Sequence, residues 1–103
     1  MRKAKVYFLG SFAGIFEEIE KNKLYKFVYA DNYSGKPISL TMPIAKSMYQ
    51  FKEFPPFFDG LLPEGIMLDG LVRRLKIDKN DLFSQLMAVG HDMVGAVTIE
   101  EIK

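Results

Sequence analysis

The sequence has 103 residues, of which 49% are hydrophobic and 14% aromatic, with nine Phe, five Tyr and no Cys. That length holds a single domain, residues 1–103, and the aromatic content supplies enough buried area for a core without disulfides or a structural metal. The 14 Lys and Arg against 13 Asp and Glu leave a formal charge of +1, which argues against a dedicated nucleic-acid binder, and the lack of Cys excludes disulfide scaffolds, thiol nucleophiles and Cys-based zinc sites.

The chain begins with charged residues, Arg2, Lys3 and Lys5. The apolar run Val6, Tyr7, Phe8 and Leu9 is closed by Gly10 and Ser11, too soon for a signal peptide or a bilayer span, so a cytoplasmic location without a membrane partner is expected. The same run reads as a strand. Residues 14–19 are ambiguous: Ile15, Phe16 and Ile19 fit a helical stripe, but Ile15 and Ile19 also share one strand face. A strand is preferred, because a turn at 11–14 would pair it with the first as a hairpin.

Residues 24–30 are clearer, since Tyr25, Phe27 and Tyr29 alternate with Leu24, Lys26 and Val28, the period of a strand with an aromatic face. Residues 31–37 are a loop by their turn-forming types. Residues 38–42 alternate again and stop at Pro43, predicting a short edge strand. Residues 46–54 carry little pattern, and Pro55-Pro56 forbids regular helix at that point.

The later part of the chain has helical spacing. Leu68, Leu71, Val72 and Leu75 form one apolar stripe. Asp78 is the expected cap of a further helix, with Asp81 in its first turn and Ile77 and Leu82 spaced as a hydrophobic staple. Leu82, Phe83, Leu86 and Met87 should face the core, and Gly90 should end the helix. Residues 94–99 are apolar almost throughout, which predicts a final strand in the centre of the sheet. Together these elements predict an α+β fold, with a small antiparallel or mixed sheet of about five strands and two helices in the C-terminal half.

The search for chemistry returns negatives. His91 is the sole histidine, and its neighbours Gly90 and Asp92 suit a helix exit. Asp59 and Glu64 could imitate a carboxylate pair, but they lie in a Pro- and Gly-rich loop without a partner base. There is no Gly-rich phosphate loop, nucleophile elbow or kinase catalytic motif. The expectation is a protein that is not an enzyme, with no catalytic residue, cofactor or metal. The unusual stretch is 54–67, where Pro and Gly interrupt Phe54, Phe57, Phe58, Leu61, Leu62, Ile66 and Met67. Loops usually run over the surface and are polar. This one either covers the core or projects pre-organised anchors toward a partner. The reading adopted is both, with Phe58 and Leu62 inward and the tip at 63–67 outward.

Several segments, in order, resemble the N-terminal subdomain of HipA-type serine/threonine kinases. They are Phe27-Val28-Tyr29, the stretch from Pro37 through Ile38-Ser39-Leu40-Thr41-Met42 to Pro43, and Phe57-Phe58-Asp59-Gly60-Leu61-Leu62-Pro63-Glu64. Asp81-Leu82-Phe83 and Gly90-His91-Asp92-Met93-Val94-Gly95-Ala96-Val97 complete the series. His91 stands where the family often has arginine. In that family a kinase core follows this subdomain and carries every catalytic element, so none is carried over to this chain.

A free-standing subdomain is similar to the HipS-type antitoxins of split HipBST toxin–antitoxin systems. The resemblance implies a HipT-like serine/threonine kinase toxin as partner, with a HipB-like helix-turn-helix repressor in a ternary complex and no direct nucleic-acid contact by this chain. The chain would dock on the kinase N-lobe through Phe57, Phe58, Leu61, Leu62, Pro63, Glu64, Gly65, Ile66 and Met67. Ile66 and Met67 would insert toward the active site, since Gly65 allows close backbone approach and Met fits irregular pockets; otherwise they begin the next helix and face the domain's own core. A competing expectation is a structural or activating subunit that completes a truncated kinase in trans.

Overall fold

Alternating large and small or polar side chains draw five segments of the chain into an antiparallel sheet. The computed structural model describes residues 2–62, 70, 73–90 and 95–102. The strands are β1 (Arg2–Phe8), β2 (Ser11–Glu20), β3 (Leu24–Tyr29), β4 (Met48–Phe51) and β5 (Val97–Ile102). They form a five-stranded sheet in the order β4-β3-β2-β1-β5, and every pairing is antiparallel. Helices whose bounds fall within the described residues are α1 (Pro56–Asp59) and α2 (Leu82–Val89). The α+β class and the number of strands agree with the sequence reading.

The first hairpin is tighter than expected. Phe8 lies opposite Ser11, so the turn is Leu9-Gly10, with φ of 51° and 84°, the left-handed backbone of a two-residue hairpin loop. Ser11 to Ala13 therefore belong to β2 and not to a turn at 11–14. The register shifts after Val6, which faces Gly14, while Tyr7 faces Phe12. At Gly14 a Cβ would stand 2.2 Å from the Val28 carbonyl oxygen, so β2 and β3 can approach this closely only with glycine there.

Four other expectations are corrected. Residues 38–42 are not a strand. The Tyr29 hydroxyl accepts from Ile38 N at 3.1 Å and donates to the Met42 carbonyl, so a side chain supplies the hydrogen bonds that a strand partner would give. Residues 48–51, within the weakly patterned stretch, form the edge strand instead. Pro55-Pro56 does not forbid helix: Pro55 is the N-cap and Pro56 opens α1, where the missing N–H costs nothing. Asp78 does not cap α2. Asp81 does, accepting from Ser84 N at 3.1 Å, while Asp78 accepts from Asn80 N at 2.8 Å in the preceding turn. Finally, β5 is an edge strand, not a central one; its apolar residues Val97 and Ile99 face inward, while Glu100, Glu101 and Ile102 are exposed.

Leu68, Leu71 and Val72 lie outside the described residues, although Gly70 and residues 73–75 are helical. Leu75, assigned to the apolar stripe, is 46% exposed. In α2, Phe83 and Leu86 are fully buried and Leu82 and Met87 are half-buried against the core, as their spacing predicts. Gly90 ends α2. A Cβ there would meet the Ile99 carbonyl oxygen at 2.7 Å, so the helix end presses directly on β5.

One face of the sheet holds the core. Phe16 sits at its centre, stacked on Phe58 at 4.1 Å and close to Phe83 at 5.4 Å, Phe54 at 5.8 Å and Tyr25 at 6.0 Å. Each buried ring contributes roughly 1.5–3 kcal/mol by leaving water, and well-oriented ring pairs add about 0.5–1.5 kcal/mol.

A polar clasp closes one end of this core. Arg2 donates from Nε to Glu18 at 2.8 Å and from its terminal nitrogens to Asp81 at 2.9 Å and Ser84 Oγ at 2.6 Å, while its guanidinium lies 4.9 Å from the Phe83 ring centre. The clasp thus ties the start of β1 to the cap of α2. Burial alone would raise the Asp81 pKa, but the Arg2 and Ser84 donors outweigh it and hold the carboxyl below its usual range. Burial, with Glu18 nearby, pushes the Tyr25 hydroxyl up to about 12.

Candidate protein-interaction surfaces

The loop singled out in the sequence is built from its prolines inward. Buried Pro55 and the following Pro56 start α1, and Asp59 N and Gly60 N each close a turn of 3.0 Å onto the Pro55 and Pro56 carbonyls. Leu61 N and Leu62 N then donate to the Phe58 and Asp59 carbonyls at 3.1 Å each. This winding turns Phe58 and Leu62 into the core, 0% and 8% exposed, as the sequence reading placed them. Phe57 and Leu61 are half-buried against the same core. Pro56, Asp59 and Gly60 are the exposed positions of this winding.

The remaining predicted contact residues, Pro63, Glu64, Gly65, Ile66 and Met67, lie outside the described residues, as do His91 and Asp92. The Asp59/Glu64 pair is therefore described only at Asp59. Among the described residues no cluster of three or more His, Cys, Asp or Glu could hold a metal ion, and no helix is long and apolar enough to cross a membrane.

A second surface was not anticipated. Residues paired across neighbouring strands share a face, so Tyr7, Phe12, Ile15, Val28 and Met48 stand together on the side of the sheet opposite the core. Tyr7 and Phe12 meet edge-on at 6.0 Å. Phe12 is 42% exposed, Met48 44%, and Leu9 at the adjoining hairpin tip 75%. This apolar band ends in an open cavity of about 790 Å³ between Phe12, Ile15 and Val28 and the loop that carries Asp31 and Tyr33.

Beside the band runs a polar row, the charged Lys3, Glu17 and Lys26 and the neutral Gln50, in direct register across four strands. Glu17 is nearly buried between Lys3 and Lys26, with ion pairs of 3.9 and 3.6 Å. The alternation of Lys3, Lys5 and Tyr7 with Ala4, Val6 and Phe8 carried a signal for this face in β1. In β2 the adjacent large residues Ile15 and Phe16 hid it, because nothing in the sequence says which one faces inward.

A family model of the HipA N-terminal domain matches residues 4–100 of the chain. The chain is 35% identical over 103 residues to a protein of Haemophilus influenzae named only as uncharacterised, covering all of this chain and 95% of that protein. It is also similar to a solved structure titled "N-terminal domain of HipA toxin", at 28% identity and a TM-score of 0.78, covering all of this chain and 94% of the other.

Proposed function

The chain belongs to the HipA N-terminal domain family, and from that premise we propose that it is a HipS-like antitoxin that binds and neutralises a HipT-like serine/threonine kinase toxin. The observation that carries this reading is the match over residues 4–100 to the HipA N-terminal domain, together with the likeness to a structure titled "N-terminal domain of HipA toxin". The Haemophilus influenzae relative, matched over 95% of its length, supports the view that such a domain serves as a protein of its own. The chain's role is then one of binding, not catalysis, in the bacterial cytoplasm.

The proposed mechanism follows from an apolar domain surface meeting the kinase N-lobe. Within the loop, Phe58 and Leu62 are buried in the domain itself, so the exposed Asp59 and Gly60 between them are held without a large ordering cost on binding. The tip of the loop, with Ile66 and Met67, obstructs nucleotide, substrate or loop closure. A HipB-like repressor joins the ternary complex and supplies the DNA contact. No direct contact of this near-neutral chain with nucleic acid is needed.

Co-expression with a HipT-like kinase tests the reading. Growth arrest by the kinase should be relieved, a stable complex should form, and autophosphorylation should fall when the chain is added. Relief of toxicity without binding to the kinase would sink direct inhibition. Ile66→Asp and Met67→Asp variants that fold, bind and neutralise normally would remove the tip from the mechanism. A second reading, an activating subunit that completes a truncated kinase, is favoured by the same match, since the similar solved domain is titled as part of a toxin. In that case kinase activity rises with added chain.

A further inference from the structure

The sheet face opposite the core has the make-up of a docking surface. We infer that this outer face, through Phe12, Ile15, Val28 and Met48, seats an apolar, carboxylate-flanked segment of the kinase partner. This inference rests on the antitoxin reading above and adds a surface separate from the loop at 57–67.

Three observations carry it. First, of the six large hydrophobic side chains that are exposed among the described residues, Phe12 and Met48 lie on this face, Ile102 pairs with Lys3 on it, and Leu9 caps its end. Scattered exposed leucines are ordinary, whereas apolar side chains gathered on one face mark interaction sites. Second, among the described residues the core does not use the band. Tyr7, Phe12, Ile15, Val28 and Met48 are absent from the core and from the residues packed against it, and the rings of α1 and α2 that meet the sheet do so on the Phe16 side.

Third, the charge beside the band has a sign. Lys3, Lys5 and Lys26 share the face with Glu17 and Glu100; Glu17 is withdrawn between Lys3 and Lys26, while Lys3, Lys5 and the Glu100 opposite Lys5 stay exposed. Three lysines thus stand on the face against one exposed carboxylate, Glu100, so an apolar ridge bordered by Asp or Glu on the Lys3 and Lys26 side fits across it. The cavity beside Phe12 and Ile15 offers a socket for one large side chain of that ridge. A second copy of this chain fits less well, because the exposed lysines of the two copies would border the same contact.

The test is calorimetric titration of the full chain with the HipT-like kinase. Phe12→Asp and Met48→Asp should each weaken binding at least tenfold, with urea midpoints close to wild type because both side chains are already exposed. The double variant Lys3→Gln/Lys5→Gln should weaken binding several-fold and flatten its salt dependence. If wild type binds and all three folded variants bind equally well, the outer face is not the docking surface and the antitoxin reading stands. If wild type itself fails to bind or neutralise, the antitoxin reading falls first. If the chain alone sediments as a dimer that Phe12→Asp dissociates, the face is covered by a second copy and the inference is overturned.

Discussion

The two faces of the sheet solve different problems with similar residues. On the inner face Phe16, Phe27, Phe58 and Phe83 are wholly removed from water and packed ring on ring. On the outer face Phe12, Ile15, Val28 and Met48 are comparably apolar, yet remain partly exposed and are flanked by lysines. Hydrophobicity alone therefore does not distinguish a folding surface from a binding one. What distinguishes them is whether α1 and α2 cover the face, and that depends on where the short helices turn their rings.

The sharpest way to break this contrast is to truncate one ring on each side. Phe58→Ala removes a fully buried ring stacked on Phe16 and should cost about 3–5 kcal/mol in urea unfolding. Phe12→Ala should cost only about 0.5 kcal/mol, as for an exposed position. Equal costs would mean that the outer band belongs to the core after all.

A smaller effect tests how tightly the sheet is drawn together between the faces. Gly14→Ala would place a methyl group 2.2 Å from the Val28 carbonyl oxygen, and forcing β2 from β3 should cost about 1–3 kcal/mol. Thermal unfolding of this variant reads the loss directly. A neutral result would show that the strands part easily there.

The smallest effect probes the clasp that holds α2 over the inner face. Asp81→Ala removes the cap of α2 and a partner of Arg2, and should cost about 1–2 kcal/mol near neutral pH. Because the folded Asp81 carboxyl is held below its usual range, its contribution is complete above the ordinary carboxylate pKa and is lost as the pH falls through the folded value. The gap between wild type and Asp81→Ala in urea midpoint should therefore narrow on acidification. A gap that widens in acid would contradict the assigned role of the charge.

Much of the inner face was legible in the sequence, because its signals are periodic. Tyr25, Phe27 and Tyr29 announced β3, and Phe83 and Leu86 announced the buried side of α2. The misplacements arose where one group took over another's role. The Tyr29 hydroxyl satisfies Ile38 N and the Met42 carbonyl, which makes an alternating segment a pinned loop. Asp81 in place of Asp78 caps α2, and the same carboxylate accepts from Arg2, distant in sequence, a pairing that no local spacing shows. The Pro55-Pro56 pair was read as a break when it is a helix start.

The candidate site divides in the same way. Phe58 and Leu62 faced inward as read, since large apolar side chains between turns have few alternatives. The outer band was missed because its members are scattered over β1, β2, β3 and β4 and become neighbours only through register. Alternation in β1 marks that strand's outward positions, but no spacing within one segment shows that the band forms.

The most direct measurement is a methyl NMR titration of the full chain with a HipT-like kinase. The account predicts that the methyl signals of Ile15, Val28 and Met48 shift or broaden on binding, while those of the inner residues Val6, Leu86 and Ile99 stay in place. Unchanged outer methyls in a kinase complex, with shifts confined to inner residues or to the loop around Leu61, would contradict it.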